Sequence, residues 1–187
     1  MRWLSLLLAL LGSAAVTGCG DALRDERIEA LGPEVEGVAP GPFHRPGQPC
    51  TWCHSDYGGA APKLAVGGTV YYQPSDANKT AFPVDGYIVE LEDARGVIMK
   101  PQTNCIGNFY VEYTEGWPYF PLRASLLAAQ GMGGSAKVAS MSTRINREGS
   151  CAGCHQAQKS ASSPGPVVVP GKDDQFKAPG AGCEGVP

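Results

Sequence analysis

The chain has 187 residues, 15 basic and 18 acidic, for a formal net charge of −3. Its Lys and Arg form no cluster, which excludes the basic footprint of a nucleic-acid-binding protein. With 25 glycines and 16 prolines, many turns and short strands are expected rather than long helices.

Arg2 precedes an apolar run from Trp3 to Val16, too short to span a bilayer comfortably as a helix and suited to the apolar region of an export signal. The run ends in Val16-Thr17-Gly18-Cys19, which resembles the lipobox of bacterial lipoproteins. That resemblance implies a signal peptide over 1–18, cleavage before Cys19 and a diacylglyceryl group on its thiol. Acyl chains would anchor the protein to a lipid membrane without a transmembrane helix. Gly20 rather than Asp after the Cys favours, by the same resemblance, the outer membrane, facing periplasm or cell surface. Residues 19–41 are acidic and then Pro/Gly-marked and read as a tether; Asp21 to Leu31 could form a short helix, but its apolar face is thin.

Residues 42–62 form a loop-rich segment in which Pro42, Pro46 and Pro49 prevent a long helix. It contains Cys50-Thr51-Trp52-Cys53-His54. From 63 to 143 the pattern is β. Val66, Val70 and Tyr72 lie in a Gly-marked strand, and Tyr87, Val89 and Leu91 alternate with Ile88, Glu90 and Glu92, giving one apolar face and one wetter face on which the two glutamates are solvated. Asp93 to Gly96 is a turn leading into Val97 to Met99, and Phe109, Val111 and Tyr113 alternate again. Pro118 to Ala129 and Ala136 to Met141 form a further pair across a Gly-rich turn. The fold expected is mainly β, a small antiparallel β-sandwich. Residues 144–158 hold a second pentapeptide, Cys151-Ala152-Gly153-Cys154-His155. The tail 159–187 is Ser/Pro/Gly-rich, with Val167 to Val169 its one apolar run, and is expected to be largely irregular.

Within the β segment, Gly67-Gly68-Thr69-Val70-Tyr71, Val84 to Asp93, and Asn104 with Gly107-Asn108-Phe109-Tyr110-Val111 resemble the carboxypeptidase-regulatory-like or prealbumin-like repeats of bacterial surface proteins. The resemblance covers residues 64–141, departs from pattern at Cys105, and implies a scaffold rather than a chemistry.

Cys-x-x-Cys-His is the covalent attachment signal for c-type haem: two thiols add across the vinyl groups and the adjacent His lies under the iron. The two copies predict two haems, attached through Cys50, Cys53, Cys151 and Cys154, with His54 and His155 as axial ligands to iron. The chain resembles dihaem c-type cytochromes in this respect, and an export signal fits, because such haem is attached outside the inner membrane. A four-thiolate zinc site would need a long spacer and leave both histidines unexplained; two simple disulfides are the other alternative. Three histidines cannot supply two bis-imidazole centres. His44 and Met141 are the candidate distal ligands, with Met99 and Met132 weaker ones, and a thioether would raise the potential of its haem. Trp52 and Tyr57 are expected to cover porphyrin surface. Cys105 and Cys183 are left over and suggest a disulfide in an oxidising compartment, two unpaired thiols being the alternative.

The expected function is electron transfer with redox partner proteins. A haem enzyme with an open axial site, such as a peroxidase or small-molecule reductase, is one alternative. A non-haem surface lipoprotein used for binding or assembly is the other.

Overall fold

The computed structural model describes residues 21–34, 41–73, 82–128 and 136–170. Among the described residues, eight strands form two sheets: β1 Leu64–Gln73, β2 Phe82–Pro83, β3 Ile88–Glu92, β4 Ile98–Met99, β5 Asn108–Glu112, β6 Arg123–Leu127, β7 Lys137–Ser140 and β8 Val167–Pro170. One sheet runs β2-β1-β5, with β8 also paired to β1; the other runs β4-β3-β6-β7. Helix α1 Ala22–Glu29 and the single turn α2 Cys50–Cys53 precede them among the described residues. The mainly β, sandwich-like architecture is the one the alternation dictates.

The reason lies in where the alternating residues point. Val89 and Leu91 of β3 are buried, whereas Glu90 and Glu92 between them pair with Lys100 at 3.0 Å and Arg123 at 3.8 Å. Val66, Val70 and Tyr72 of β1 meet Val89, Leu91, Phe109 and Leu126 in one core. Each fully buried large apolar side chain there contributes roughly 1.5–3 kcal/mol.

β1 carries the architecture. Along one edge it pairs antiparallel with β5, Gly68 opposite Phe109, and then with β2. Along the other edge Gly67 donates to the Gly149 carbonyl at 3.0 Å and bridges Ser150, and β8 follows in parallel from Val70 opposite Val167. The second pentapeptide therefore lies in an excursion, residues 151–166, between two segments bound to one edge of β1.

Two segments differ from the sequence expectation. Val167–Pro170 is a strand rather than part of an irregular tail, because the edge of β1 past Gly67 is open to it and Val169 becomes fully buried. The sandwich is consequently not wholly antiparallel and extends past residue 143. Within the segment read as a tether, Ala22–Glu29 is helical, started by the Asp21 side chain accepting from Arg24 N–H. It buries no residue of its own. Polar contacts hold it instead, as shown below.

Candidate functional site

The two pentapeptides are brought together on the two sides of β1. Successive strand residues point to opposite faces. A Cβ placed on Gly67 would lie 3.0 Å from both Cβ and Sγ of Cys50. One placed on Gly68 would lie 2.7 Å from Cys151 Cβ and 2.9 Å from its Sγ. Two consecutive glycines thus let one cysteine of each motif seat directly on the strand, Cys50 on the outer face and Cys151 on the face that meets the core.

A hydrogen bond ties the motifs as well. Thr51, buried within the first pentapeptide, donates from Oγ1 to Glu148 Oε1 at 2.6 Å, and the same oxygen accepts from Ser150 N–H at 2.9 Å. Ser150 Oγ itself is buried without a hydrogen-bond partner among the described residues.

Each motif opens on its own cavity with mostly apolar walls. The first, about 350 Å³, is lined by Cys50, Cys53 and His54 together with His44, Pro49, Pro62, Leu64 and Tyr110. The second, about 370 Å³, lies between the sheets and is lined by Cys151 and His155 with Val89, Leu91, Leu126, Met141 and Val167. Phe109 lines both. Cys154 is exposed and outside the second lining.

The histidines are oriented alike. His54 Nδ1 bonds the Pro62 carbonyl at 2.7 Å, and His155 Nδ1 bonds the Gly165 carbonyl at 2.9 Å. A carbonyl can only accept, so Nδ1 carries a proton, and in the neutral ring Nε2 is then the lone-pair nitrogen. No hydrogen bond among the described residues engages Nε2 of either ring. Such a carbonyl contact fixes the tautomer and ring orientation of a metal-ligating imidazole.

The candidate distal residues fall in the same cavities. His44 lies 5.7 Å from His54 between ring centroids, with the planes 28° apart. Its Nδ1 also contacts the carbonyl of Gly41. The loop around His44 is held by the outer face of the first sheet: Asn108 Nδ2 donates to the His44 carbonyl at 3.0 Å, Asn104 Nδ2 to the Pro42 carbonyl at 2.8 Å, and Gly47 N–H to Thr69 Oγ1 at 2.7 Å. Met141 lines the second cavity, alongside the hydroxyl residues Ser125, Ser140, Ser142 and Thr143. Met99 packs against the core rather than into either cavity, and Met132 lies outside the described residues.

Burial sets the state of the seated thiols. Cys50 is pushed up to about 11, chiefly by desolvation, with Cys53 adding to the rise. Cys151 is pushed up to about 12, again chiefly by burial, then by the nearby Cys50, Cys154 and Glu148. All four motif thiols are free and unpaired with one another. These surroundings are the reverse of the electropositive ones that create thiolates for metal binding or thiol exchange. Nor does any group of three or more His, Cys, Asp or Glu among the described residues converge as metal ligands would.

Arg24 of α1 closes the first motif from behind. Its guanidinium donates to the Thr51 carbonyl at 2.6 Å, the Trp52 carbonyl at 3.1 Å and Ser55 Oγ at 2.9 Å. Trp52 and Tyr57 face this helix, under Arg27 at 5.8 Å and Arg24 at 5.6 Å respectively, and neither lines the cavity they were expected to cover.

Cys105 is disulfide-bonded, and none of the four free motif cysteines is its partner. Cys19 and Cys183 lie outside the described residues, so neither the lipidation nor the Cys105–Cys183 pairing is visible. Among the described residues no helix is long and apolar enough to cross a membrane. Sequence reasoning missed Gly67, Gly68, Phe109, Glu148 and Arg24; the doubled glycine inside a strand pattern was the one local signal, since it marks close backbone approach. Compared with protein-family models, with curated proteins and with solved structures, the chain matches none.

Proposed function

We propose that this chain is a dihaem c-type cytochrome that carries electrons between redox partner proteins. One observation carries the reading: in both motifs the histidine holds Nδ1 on a backbone carbonyl and leaves Nε2 without a hydrogen-bond partner among the described residues, in the same apolar cavity as a cysteine of its own pentapeptide. A single such arrangement could be incidental; a matched pair, built from unrelated loops, argues for a shared demand.

The residues present fit the group. Cys50 and Cys53 bind the first haem and Cys151 and Cys154 the second, Cys154 closing from the exposed side. His54 and His155 supply the proximal nitrogens, fixed by Pro62 and Gly165. His44 would supply a second nitrogen at the first site and Met141 a thioether at the second, since each lines the cavity of its motif. The mostly apolar walls would exclude water and cover a bound porphyrin. When bound, haem iron supplies reversible one-electron chemistry whose potential follows its axial ligands and surroundings.

The export signal and the Cys19 lipobox support a lipid-anchored location outside the inner membrane, in the outer membrane by the residue after the Cys. A disulfide from Cys105 to Cys183 belongs to the same oxidising compartment. A second reading, a haem enzyme, is favoured by one observation: the hydroxyls of Ser125, Ser140, Ser142 and Thr143 beside Met141 make part of the second cavity polar. Carbon monoxide binding to the reduced wild-type protein at one site would support that reading, and inert six-coordinate haem at both would remove it.

The test of the cytochrome reading is a haem stain after denaturing electrophoresis, on protein exported from a host that matures c-type cytochromes. Stain that stays with the polypeptide is expected. A stain-free band would contradict the reading and favour a non-haem surface module.

A further inference from the structure

We propose that Gly67–Gly68 is the seat that sets the two attachment sites back to back across β1, with Phe109 as their shared wall, so that haems attached there would lie close enough to couple. The inference rests on the haem reading above and deepens it.

The geometry is that of β1. Each motif sulfur lies about 3 Å from the Cβ position of its glycine: Cys50 Sγ at 3.0 Å from Gly67 and Cys151 Sγ at 2.9 Å from Gly68. Neighbouring Cα atoms are about 3.8 Å apart and a Cβ stands about 1.5 Å off its Cα, so the two sulfurs are separated by no more than about 13 Å. Those sulfurs are the points at which a thioether-bound porphyrin edge would begin, one on each face of β1.

Phe109 belongs to that neighbour, in register with Gly68. Its carbonyl oxygen lies 3.6 Å from the Cβ position of Gly67, and its ring Cε1 lies 3.2 Å from that of Gly68. It is buried, and it lines both cavities. Its main chain faces one site and its ring the other. A Cβ at 68 would displace Cys151, and one at 67 would make Cys50 give by a few tenths of an ångström, so the glycine pair sets how close the two sites come.

Circular dichroism in the Soret region, followed through a reductive titration of the wild-type protein, tests this. Two close ferrous haems give a bisignate couplet that requires both to be reduced. The couplet is therefore expected to lag the absorbance, standing well below half its final amplitude at the midpoint. A signal that tracks the reduced fraction linearly, in protein carrying two haems by pyridine haemochrome, would overturn the coupling and leave the cytochrome reading intact. A haem count of zero would overturn both. Gly68→Ala supplies a second readout: the Cβ displaces Cys151, and the couplet is expected to lose amplitude with two haems retained. An unchanged couplet in that variant would remove the glycine seat from the junction.

Discussion

Thr51 and Glu148 join the two pentapeptides through a single 2.6 Å hydrogen bond, hydroxyl to carboxylate, across 97 positions of sequence. The same carboxylate oxygen holds the Ser150 N–H that starts the second motif. One acidic side chain thus ties Thr51 of the first motif to Ser150, the residue ahead of the second.

Glu148→Ala would leave the buried Thr51 hydroxyl and the Ser150 N–H without their acceptor. Loss of a charged acceptor to buried donors costs about 1–3 kcal/mol, so a drop of about 2 kcal/mol in urea-unfolding free energy is expected. Glu148→Gln keeps an acceptor oxygen and should lose less than half as much. In a double-mutant cycle with Thr51→Val the two losses should be far from additive. Additive losses would mean that the bond does not couple the motifs.

Arg24 makes a separate prediction, because α1 buries no residue of its own. With the guanidinium removed by Arg24→Ala, the three hydrogen bonds to Thr51, Trp52 and Ser55 vanish. Amide hydrogen exchange should rise across Ala22–Glu29, by an opening free energy lower by about 2 kcal/mol. Lys cannot reproduce a forked donor set, so Arg24→Lys should restore little of the protection. Protection that persists in Arg24→Ala would show that α1 is held by something else.

Asp93 lends the fold a pH dependence with a defined sign. Burial works against its charge, but the N–H groups of Val97, Arg95 and Tyr119 and the Arg95 guanidinium outweigh it and hold the carboxyl below the usual carboxylate range. A folded-state value below the unfolded one gives stability that is complete above the unfolded value, about 4, and is lost as pH falls through the folded value. The Tm gap between wild type and Asp93→Asn should therefore be widest at neutral pH and shrink on acidification below about pH 4. Thermal melts across that range check it, and a gap constant with pH would count against the turn's ionic anchoring.

The distal assignments separate by spectroscopy. His44→Ala should convert one of two haems to a form that binds carbon monoxide, while the other keeps its reduced bands. Met141→Ala should do so at the second haem and lower its potential, because a thioether raises it. A His44→Ala spectrum identical to wild type would remove His44 from the iron.

How much of this could be read along the chain depends on the reach of each interaction. The strands of Val89 and Leu91 and of Phe109 and Val111 were legible because burial there follows a period of two. The motifs were legible because the spacing of Cys and His is local. The strand Val167–Pro170 was not, since four residues without alternation become a strand only beside the open edge of β1. Likewise Glu148 and Arg24 look like ordinary surface charges until the fold brings Thr51 to one and the Thr51 and Trp52 carbonyls to the other. Trp52 misled for the same reason: its neighbours in sequence belong to the haem motif, but its neighbour in space is Arg27 of α1.

The central claim is that each pentapeptide holds one haem covalently, and pyridine haemochrome stoichiometry per chain tests it most directly. Wild-type protein matured in a competent host should give two, and Cys50→Ser/Cys53→Ser and Cys151→Ser/Cys154→Ser should each give one. A wild-type count of zero, or a count that does not fall when a motif is removed, would contradict the account.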